Sequence, residues 1–278
     1  MKRERIEFLS SISAEIRKDI VRMVGVAGSG PVEMPLAISD LLVYLYWENM
    51  SIYPEKPLSE ERDRLIMGVF KAVPALYAVL ARRGYFAREE LWHYRRLGSM
   101  LQASPDYNRT PGIDAPCLLD GLALAIASSS SELLLRRQPT PKVFCLCEER
   151  DFPQDFWHEA CFAAETNLSN LIVLVIVKKS LKTGISDDEE KTILSYKNKM
   201  SGYGWIVSDI DGHDFQNMED TLSVLDMSDG RPKVVFVFTN AGMDYSFIDD
   251  SDSDDVPALR HREDIEHALE ELEERRSV

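Results

Sequence analysis

Glycine and cysteine are scarce in this chain, and each shortage argues against a class of protein. Only 14 of the 278 residues are glycine and 4 are cysteine, whereas glycine makes up about 7% of an average protein. Loops that hold phosphate groups through their backbone N–H groups use several glycines, so intact loops of that kind are not expected. The cysteines are too few for a disulfide framework, and no cysteine–histidine spacing fits a zinc site. We therefore expect buried, reduced thiols.

Long apolar segments are also missing. Neither the N-terminus nor any later segment has the length needed for a signal peptide or a membrane span. The net charge is −15 and the sequence isoelectric point is about 4.8. An electrostatic field of this sign repels nucleic acid and anionic lipid. We therefore expect a cytoplasmic protein that binds neither nucleic acid nor membrane.

The sequence does contain a series of helical segments, followed by strands that alternate with helices. Apolar residues at helical spacing predict helices over 6–24, 37–47, 72–83, 88–97, 121–135 and 262–276. Short segments rich in β-branched residues predict strands over 142–147, 171–177, 205–210 and 233–238. This alternation is typical of the α/β class and predicts a three-layer α/β/α fold with a mainly parallel sheet.

We expect a single domain over residues 1–278, with an acidic loop at 249–262 and a charged helix at 262–276. In parallel sheets of this kind, ligands bind at the carboxyl ends of the strands. The expected site is formed by the segments that follow the four predicted strands, after Cys147, Val177, Ile210 and Phe238.

One segment carries a motif that points to a known family. Residues 143–160 resemble the diphosphate-binding segment of the transketolase family, in which a strand ends in Gly-Asp-Gly-Glu and a Trp-Glu-Ala helix follows. Here the tetrad is Glu148-Glu149-Arg150-Asp151. Further matches occur in the family's order at 27–30, 36–42, 63–64, 74–78, 98–102, 110–114, 168–173, 211–214 and 231–239. The resemblance implies the fold of the family's N-terminal domain, which binds thiamine diphosphate.

Eight positions depart from the family where it holds the cofactor. These vestigial pocket positions are Pro31, Lys71, Ser104, Leu118, Glu148, Glu149, Arg150 and Lys178. By the resemblance, Pro31, Lys71 and Ser104 replace three pocket histidines. Leu118, Glu148 and Arg150 replace glycines. Lys178 replaces an asparagine that binds Mg²⁺, whereas Glu149 keeps a carboxylate at the former Mg²⁺ position.

These replacements lead to the expectation that the cofactor is not bound. A diphosphate needs Mg²⁺ in oxygen coordination, a charged lysine cannot bind a metal, and Glu148 would repel the diphosphate. We therefore expect no catalytic residues, no thiamine diphosphate and no metal. The former pocket is then filled by ion pairs among Glu33, Glu148, Glu149, Lys71, Arg150 and Lys178.

Two alternatives stay open for this pocket. The first is a repurposed anion site, in which Lys71, Arg150 and Lys178 replace the metal. The second is residual binding of thiamine diphosphate with Mg²⁺ through Glu149. His213 lies in a matching Asp-Gly-His-Asp segment, which is largely structural in the family, so we do not expect it to be catalytic.

The resemblance covers only the first domain of a transketolase, so we expect the two domains that complete the enzyme to be missing. The leading hypothesis is a pseudoenzyme, that is, a catalytically degenerate subunit that acts through a partner. The partner would be a transketolase C-terminal-type subunit or a second copy, bound through the ancestral interface at helices 37–47 and 121–135. One alternative is a functional N-terminal subunit of a split transketolase, which transfers ketol groups with unusual thiamine-diphosphate contacts. The other is an anion-sensing regulatory module.

Overall fold

The computed structural model describes most of the chain. The described residues are 1–117, 121–135, 139–149, 152, 154–179, 184–226, 230–240, 245–248, 259 and 261–276. Leu118, Arg150 and most of the acidic loop 249–262, which were singled out from the sequence, lie outside them. Within these ranges, no helix combines the length and the apolar character needed to cross a membrane.

The described residues form a parallel sheet of five strands at the centre of the fold. The strands are β1 (Arg64–Met67), β2 (Val143–Glu148), β3 (Leu171–Lys179), β4 (Ile206–Asp211) and β5 (Lys233–Asn240). Their order across the sheet is β1-β2-β3-β5-β4, and neighbouring strands are parallel. The central strands β2, β3 and β5 are buried on both faces, which explains their continuous apolar sequences.

Helices cover both faces of this sheet. One face carries α1 (Arg3–Ala27), α2 (Glu33–Ala37), α3 (Ser39–Tyr44), α4 (Val73–Arg82), α8 (Phe215–Asp226) and α9 (Arg262–Arg276). The other face carries α5 (Gly121–Leu134), α6 (Gln154–Glu165) and α7 (Asp187–Tyr203). The chain crosses the sheet in one direction from β1 to β4 and returns to β5, so right-handed crossovers place α8 opposite α5, α6 and α7. The predicted three-layer α/β/α fold is confirmed.

Two predicted helices and one strand differ from the sequence analysis. The predicted helix 37–47 is divided, because α2 ends at Ala37 and α3 continues into a π-helical turn over Leu45–Asn49. The predicted helix 88–97 is only a 3₁₀ turn over Arg88–His93, and Arg95 has a φ of 58°, which a right-handed helix cannot accommodate. Strand β1 was not predicted, because its four residues are too few to show a pattern.

Helix α3 is buried on all sides within this single chain. Its residues from Ser39 to Tyr44 are buried, and α1, α4 and α8 lie against it. The expectation that segment 37–47 presents an apolar surface to a partner is therefore wrong for most of its length. Helix α5 differs, because Leu134 and the following Leu135 are 81% and 59% exposed.

Buried carboxylates attach the short strand β1 to the rest of the fold. Asp63 accepts hydrogen bonds from the backbone N–H groups of Lys142 (2.6 Å) and Ser51 (2.8 Å). Asp114 accepts one from the backbone N–H of Leu65 (2.8 Å). Because these bonds reach the start of β1 and the residue before β2, they fix a strand that its own length would leave weakly held.

Candidate functional site

Close packing of two glycines fixes the edge of the sheet where β1 and β2 end. The backbone N–H of Gly68, directly after β1, donates to the carbonyl of Leu146 (2.7 Å). A Cβ on Gly121, the first residue of α5, would lie 2.9 Å from Gly68 Cα. A side chain on Gly121 would push α5 away from the sheet, and a Cβ on Gly68 would lie 2.7 Å from the carbonyl oxygen of Leu146 in β2. The two glycines therefore determine where α5 begins.

A lysine and two glutamates form what we call the strand-end ion group. Lys178, near the end of β3, has its Nζ 3.5 Å from a carboxylate oxygen of Glu33 and 3.6 Å from one of Glu148. Glu33 begins α2, and Glu148 ends β2. The side chains of Lys178 and Glu148 are 13% and 10% exposed, whereas that of Glu33 is 40% exposed. Glu33 is thus the member of the group that can most easily move away.

The ammonium group of Lys178 is held by charge and not by short hydrogen bonds. Both distances exceed the roughly 3.2 Å that limits a usual N–H···O hydrogen bond. Opposite charges attract more strongly here than in bulk water, because the surroundings are largely buried. An ammonium has three N–H donors, so Lys178 retains the capacity to bind a further acceptor.

A buried hydroxyl group lies beside Lys178 on the same face of the sheet. Thr239 of β5 is the register partner of Lys178 in β3, and partners in register point to one face. Thr239 Oγ1 is buried and has no hydrogen-bond partner among the residues that the structure describes. Leaving a buried hydroxyl without a partner costs about 1–3 kcal/mol. The position is therefore suited to a ligand that can form a hydrogen bond.

Of the other predicted pocket positions, four lie within the described residues and two do not. Pro31 lies two residues before α2, and Lys71 lies in the 3₁₀ turn Phe70–Ala72 after β1. Ser104 is in an exposed loop, and the half-buried Glu149 directly follows β2. Leu118 and Arg150 are outside the described residues. That ion pairs fill the former pocket stays a prediction.

A second polar cluster connects the ends of β4 and β5 to α1 and α3. His213 Nδ1 lies 2.9 Å from Asp40 Oδ2, and the backbone N–H of Asn240 donates to His213 Nε2 (3.1 Å). Because Nε2 accepts, the ring proton is on Nδ1 and is donated to Asp40. Asp40 also accepts hydrogen bonds from Arg17 (2.6 Å) and Ser13 (2.5 Å). Both ring nitrogens of His213 are thus used in structural bonds, as expected for this segment.

The partners of Asp40 keep its carboxylate ionised although it is buried. Burial on its own would raise the pKa of Asp40. The charge of Arg17, together with the hydrogen bonds from His213 and Ser13, outweighs burial and lowers the pKa of Asp40 to about 2. At neutral pH, Asp40 is therefore the negative centre of this cluster.

The residues next to His213 also have structural roles. Asp214 caps α8, because its Oδ1 accepts hydrogen bonds from the backbone N–H groups of Gln216 (2.8 Å) and Asn217 (3.1 Å). A Cβ on Gly212 would lie 2.8 Å from Thr239 Cγ2. The Asp-Gly-His-Asp segment therefore joins β4, β5 and α8 beside the strand-end ion group.

The buried acids of α1 and α3 were not predicted from the sequence. Asp19 has no exposed surface, accepts a hydrogen bond from Arg82 Nε (2.6 Å) and pairs with Arg88. Asp19 and Asp40 occupy inward positions that are otherwise largely apolar. An acid at such a position indicates a buried cationic partner, so a buried ion pair could have been predicted from the sequence at both positions. The identity of the partner could not have been predicted, because the partner comes from a distant segment of the chain.

The described residues fit a diphosphate better than they fit a divalent metal. Lys178 offers positive charge, and Lys178 and Thr239 offer hydrogen-bond donors. No group of three or more histidine, cysteine, aspartate or glutamate side chains in the described ranges is arranged to hold a metal ion. Glu33 and Glu148 instead flank the ammonium of Lys178.

Comparisons with known proteins identify relatives of the chain. A family model described as the transketolase, thiamine diphosphate binding domain matches residues 10–268. The 6-deoxy-6-sulfo-D-fructose transketolase subunit SqwG of Clostridium sp. (strain MSTE9) is 32% identical over 234 residues, which cover 84% of each chain. An apulose-4-phosphate transketolase subunit of Phocaeicola vulgatus is 24% identical over 245 residues, or 88% of this chain and 87% of that one.

Solved structures share the fold. Transketolase from Campylobacter jejuni superposes with a TM-score of 0.81 at 23% identity, over 98% of this chain and 43% of that one. Transketolase from Leishmania mexicana gives a TM-score of 0.78 at 21% identity, over 95% of this chain and 41% of that one. The chain thus spans less than half the length of these solved transketolases.

The family match overturns the expectation that no cofactor is bound. The matching family is a thiamine diphosphate binding domain, which points to thiamine diphosphate as the cofactor, so that prediction was wrong. That prediction considered each replaced motif residue separately, whereas the charge and the hydrogen-bond donors of a site depend on all of its residues together. Lys178 and Thr239 keep donors at the strand ends. The expected absence of catalytic residues and of a metal stays a prediction.

Proposed function

Because the chain belongs to the family of transketolase thiamine-diphosphate-binding domains, we propose that it is the N-terminal subunit of a two-chain transketolase. In this proposal the chain holds the diphosphate end of thiamine diphosphate at the carboxyl ends of β2, β3 and β5. A second subunit completes the cofactor site and the substrate site. Neither of the two chains transfers ketol groups alone.

The observation that carries this proposal is the match to relatives that are themselves named as subunits. SqwG and the apulose-4-phosphate transketolase subunit each align with this chain over more than four fifths of their own length.

The described residues of this chain act by charge and position. Lys178 and Thr239 provide donors for an anionic group, and the glycine contact between Gly68 and Gly121 sets the position of α5 beside it. His213 holds the ends of β4 and β5 together through Asp40 and Asn240. When bound, thiamine diphosphate supplies the carbanion stabilisation that ketol transfer requires.

The names of the two relatives suggest a class of substrate. One is named for a ketose with a sulfonate group, and the other for a sugar phosphate. We extend this to the present chain and propose that its complex acts on a ketose that carries an anionic group at the end remote from the carbonyl.

The exposed end of α5 is our proposed contact with the second subunit. Leu134 and Leu135 form an apolar surface, and the resemblance places helix 121–135 at a subunit interface. Partners bury apolar and aromatic anchors at the centres of their interfaces. The buried helix α3 cannot serve this purpose.

The direct test is to isolate the chain from its source cells with a tag and measure what accompanies it. We expect a second transketolase-type subunit, about one thiamine diphosphate per pair of chains, and transfer of a ketol unit from an anionic ketose to an aldehyde acceptor. The pseudoenzyme and anion-sensing interpretations make the opposite prediction. A partner-bound chain with no cofactor and no transfer would contradict the proposed function.

A further inference from the structure

Lys178 lies near the end of β3, beside the end of β2. Its side chain is largely buried, and its ammonium lies between the carboxylates of Glu33 and Glu148 at 3.5 and 3.6 Å. Lysine is seldom buried unless it is paired. Two carboxylates around one cation, in a place that faces a ligand site, resemble the surroundings of a bound metal ion with the ammonium in its place.

The hydroxyl of Thr239 gives independent evidence for a ligand at this place. It lies on the neighbouring strand in register with Lys178, it is buried, and it has no hydrogen-bond partner in the described ranges. Native structures leave few buried polar atoms without partners. A phosphate oxygen would accept a hydrogen bond from Thr239 and a charge-assisted one from Lys178.

The two glutamates differ in their ability to give way to such a ligand. Glu148 is 10% exposed and is fixed at the end of β2, whereas Glu33 is 40% exposed and begins the five-residue helix α2. An incoming anion can displace Glu33 from Lys178 without disturbing the sheet. Glu148 remains and holds the ammonium in place.

We propose that Lys178, aided by Thr239, supplies the positive charge that binds the diphosphate of the cofactor, so that this chain binds it without a divalent metal. The proposal rests on the proposed function, because it assumes that thiamine diphosphate is the ligand. It also assigns an opposing role to Glu33, which competes with the diphosphate for the ammonium.

The test is a titration of thiamine diphosphate into the two-chain complex, followed by calorimetry, once with EDTA and once with Mg²⁺. The affinity of the wild type should differ by less than about 3-fold between the two conditions, since no counterion is required. Lys178→Met should weaken binding in EDTA by about 10- to 100-fold, the usual effect of losing a charged hydrogen bond. Lys178→Arg should restore part of the affinity.

Three further variants sharpen the test. Thr239→Val keeps the shape of the side chain, so we expect weaker cofactor binding with an unchanged or higher melting temperature, which a purely structural threonine would not give. Glu33→Gln should tighten binding, because it removes the competing carboxylate. Lys179→Met removes the same charge from the next residue of β3, whose ammonium lies over the Phe238 ring, and should leave binding unchanged.

The outcomes separate this proposal from the proposed function. Cofactor binding that is lost in EDTA and restored by Mg²⁺, with Lys178→Met close to the wild type, would overturn the role of Lys178 and leave the proposed function standing. A folded complex that binds no cofactor in either condition would overturn both. Metal-independent binding that falls in Lys178→Met but not in Lys179→Met would support the inference.

Discussion

At the scale of single residues, the buried charges of this protein are held by several partners at once. Asp40 contacts Arg17, Ser13 and His213, and Asp19 contacts two arginines. Such groups contribute little when they are intact, but removing one member leaves an uncompensated charge in the interior. The same logic governs Lys178.

Replacing Asp40 by asparagine should therefore destabilise the fold strongly. It leaves Arg17 buried without its counter-charge, so we expect a loss of about 3–5 kcal/mol in the free energy of unfolding, measured by urea denaturation. The matched control is Asp209→Asn, because Asp209 is 51% exposed and pairs with Lys197. Exposed pairs contribute about 0–1 kcal/mol. Equal effects at the two positions would contradict the role given to Asp40.

The same carboxylate predicts a pH dependence. The pKa of Asp40 falls from 3.8 to about 2 in the folded state, so ionised Asp40 stabilises the fold above pH ~4, and this contribution is lost as the pH falls toward 2. The shift corresponds to on the order of 2 kcal/mol. The unfolding free energy of the wild type should therefore decrease more between pH 4 and pH 2 than that of Asp40→Asn. Parallel curves would rule out this contribution.

Some of these residue contacts can be predicted from sequence, and others cannot. The proximity of Glu148 and Lys178 follows from their positions at the ends of consecutive strands, because parallel strands end at one edge of a sheet. The contact between Asp40 and His213 joins residues 173 positions apart, and no local sequence pattern predicts it. That Thr239 Oγ1 has no hydrogen-bond partner among the described residues can be seen only from the structure.

At the scale of elements, strands were easier to predict than helix boundaries. The central strands are largely continuous apolar segments, and their bounds agree with the prediction to within two residues. Helix 37–47 was drawn as one element because apolar residues continue through it, yet hydrophobicity does not reveal the break at Ile38 or the π-helical turn that follows. Strand β1 is short, and Asp63 and Asp114 hold it from outside.

The contact between β1 and α5 leads to a prediction at this scale. A Cβ on Gly68 would lie 2.7 Å from the backbone oxygen of Leu146, which cannot move without shifting β2. We expect Gly68→Ala to lower the free energy of unfolding by about 1–3 kcal/mol, as overpacking does, and to weaken cofactor binding because β2, which ends at the proposed cofactor site, is shifted.

Gly202→Ala is the matched control for that change. Gly202 lies in α7, and a Cβ there meets nothing within 4 Å. Alanine in a helix is more favourable than glycine by about 0.5–1 kcal/mol, so this variant should be slightly more stable. The melting temperatures of both variants are compared with that of the wild type. A higher melting temperature for Gly68→Ala would show that the backbone around Gly68 and Leu146 is not rigid.

At the scale of the whole molecule, the surface suggests how this chain meets its partner. Helix α3 was expected at an interface from the family resemblance, but the chain itself covers it. Apolar composition alone cannot distinguish a helix buried by its own chain from one buried by another. The exposed leucines at the end of α5 could be recognised only from the structure.

Leu134→Lys tests this surface. Lysine at the C-terminal end of a helix is favourable to the helix dipole, so the variant should fold normally while a charge enters the proposed interface. We expect the dissociation constant of the complex to rise by about 10-fold or more, as the loss of an interface anchor does, measured by sedimentation velocity. Leu58→Lys is the control, because Leu58 is 88% exposed but lies in a separate loop. If both variants bind the partner like the wild type, the second subunit contacts another face, and the assignment of α5 fails while the cofactor site at the strand ends is unaffected.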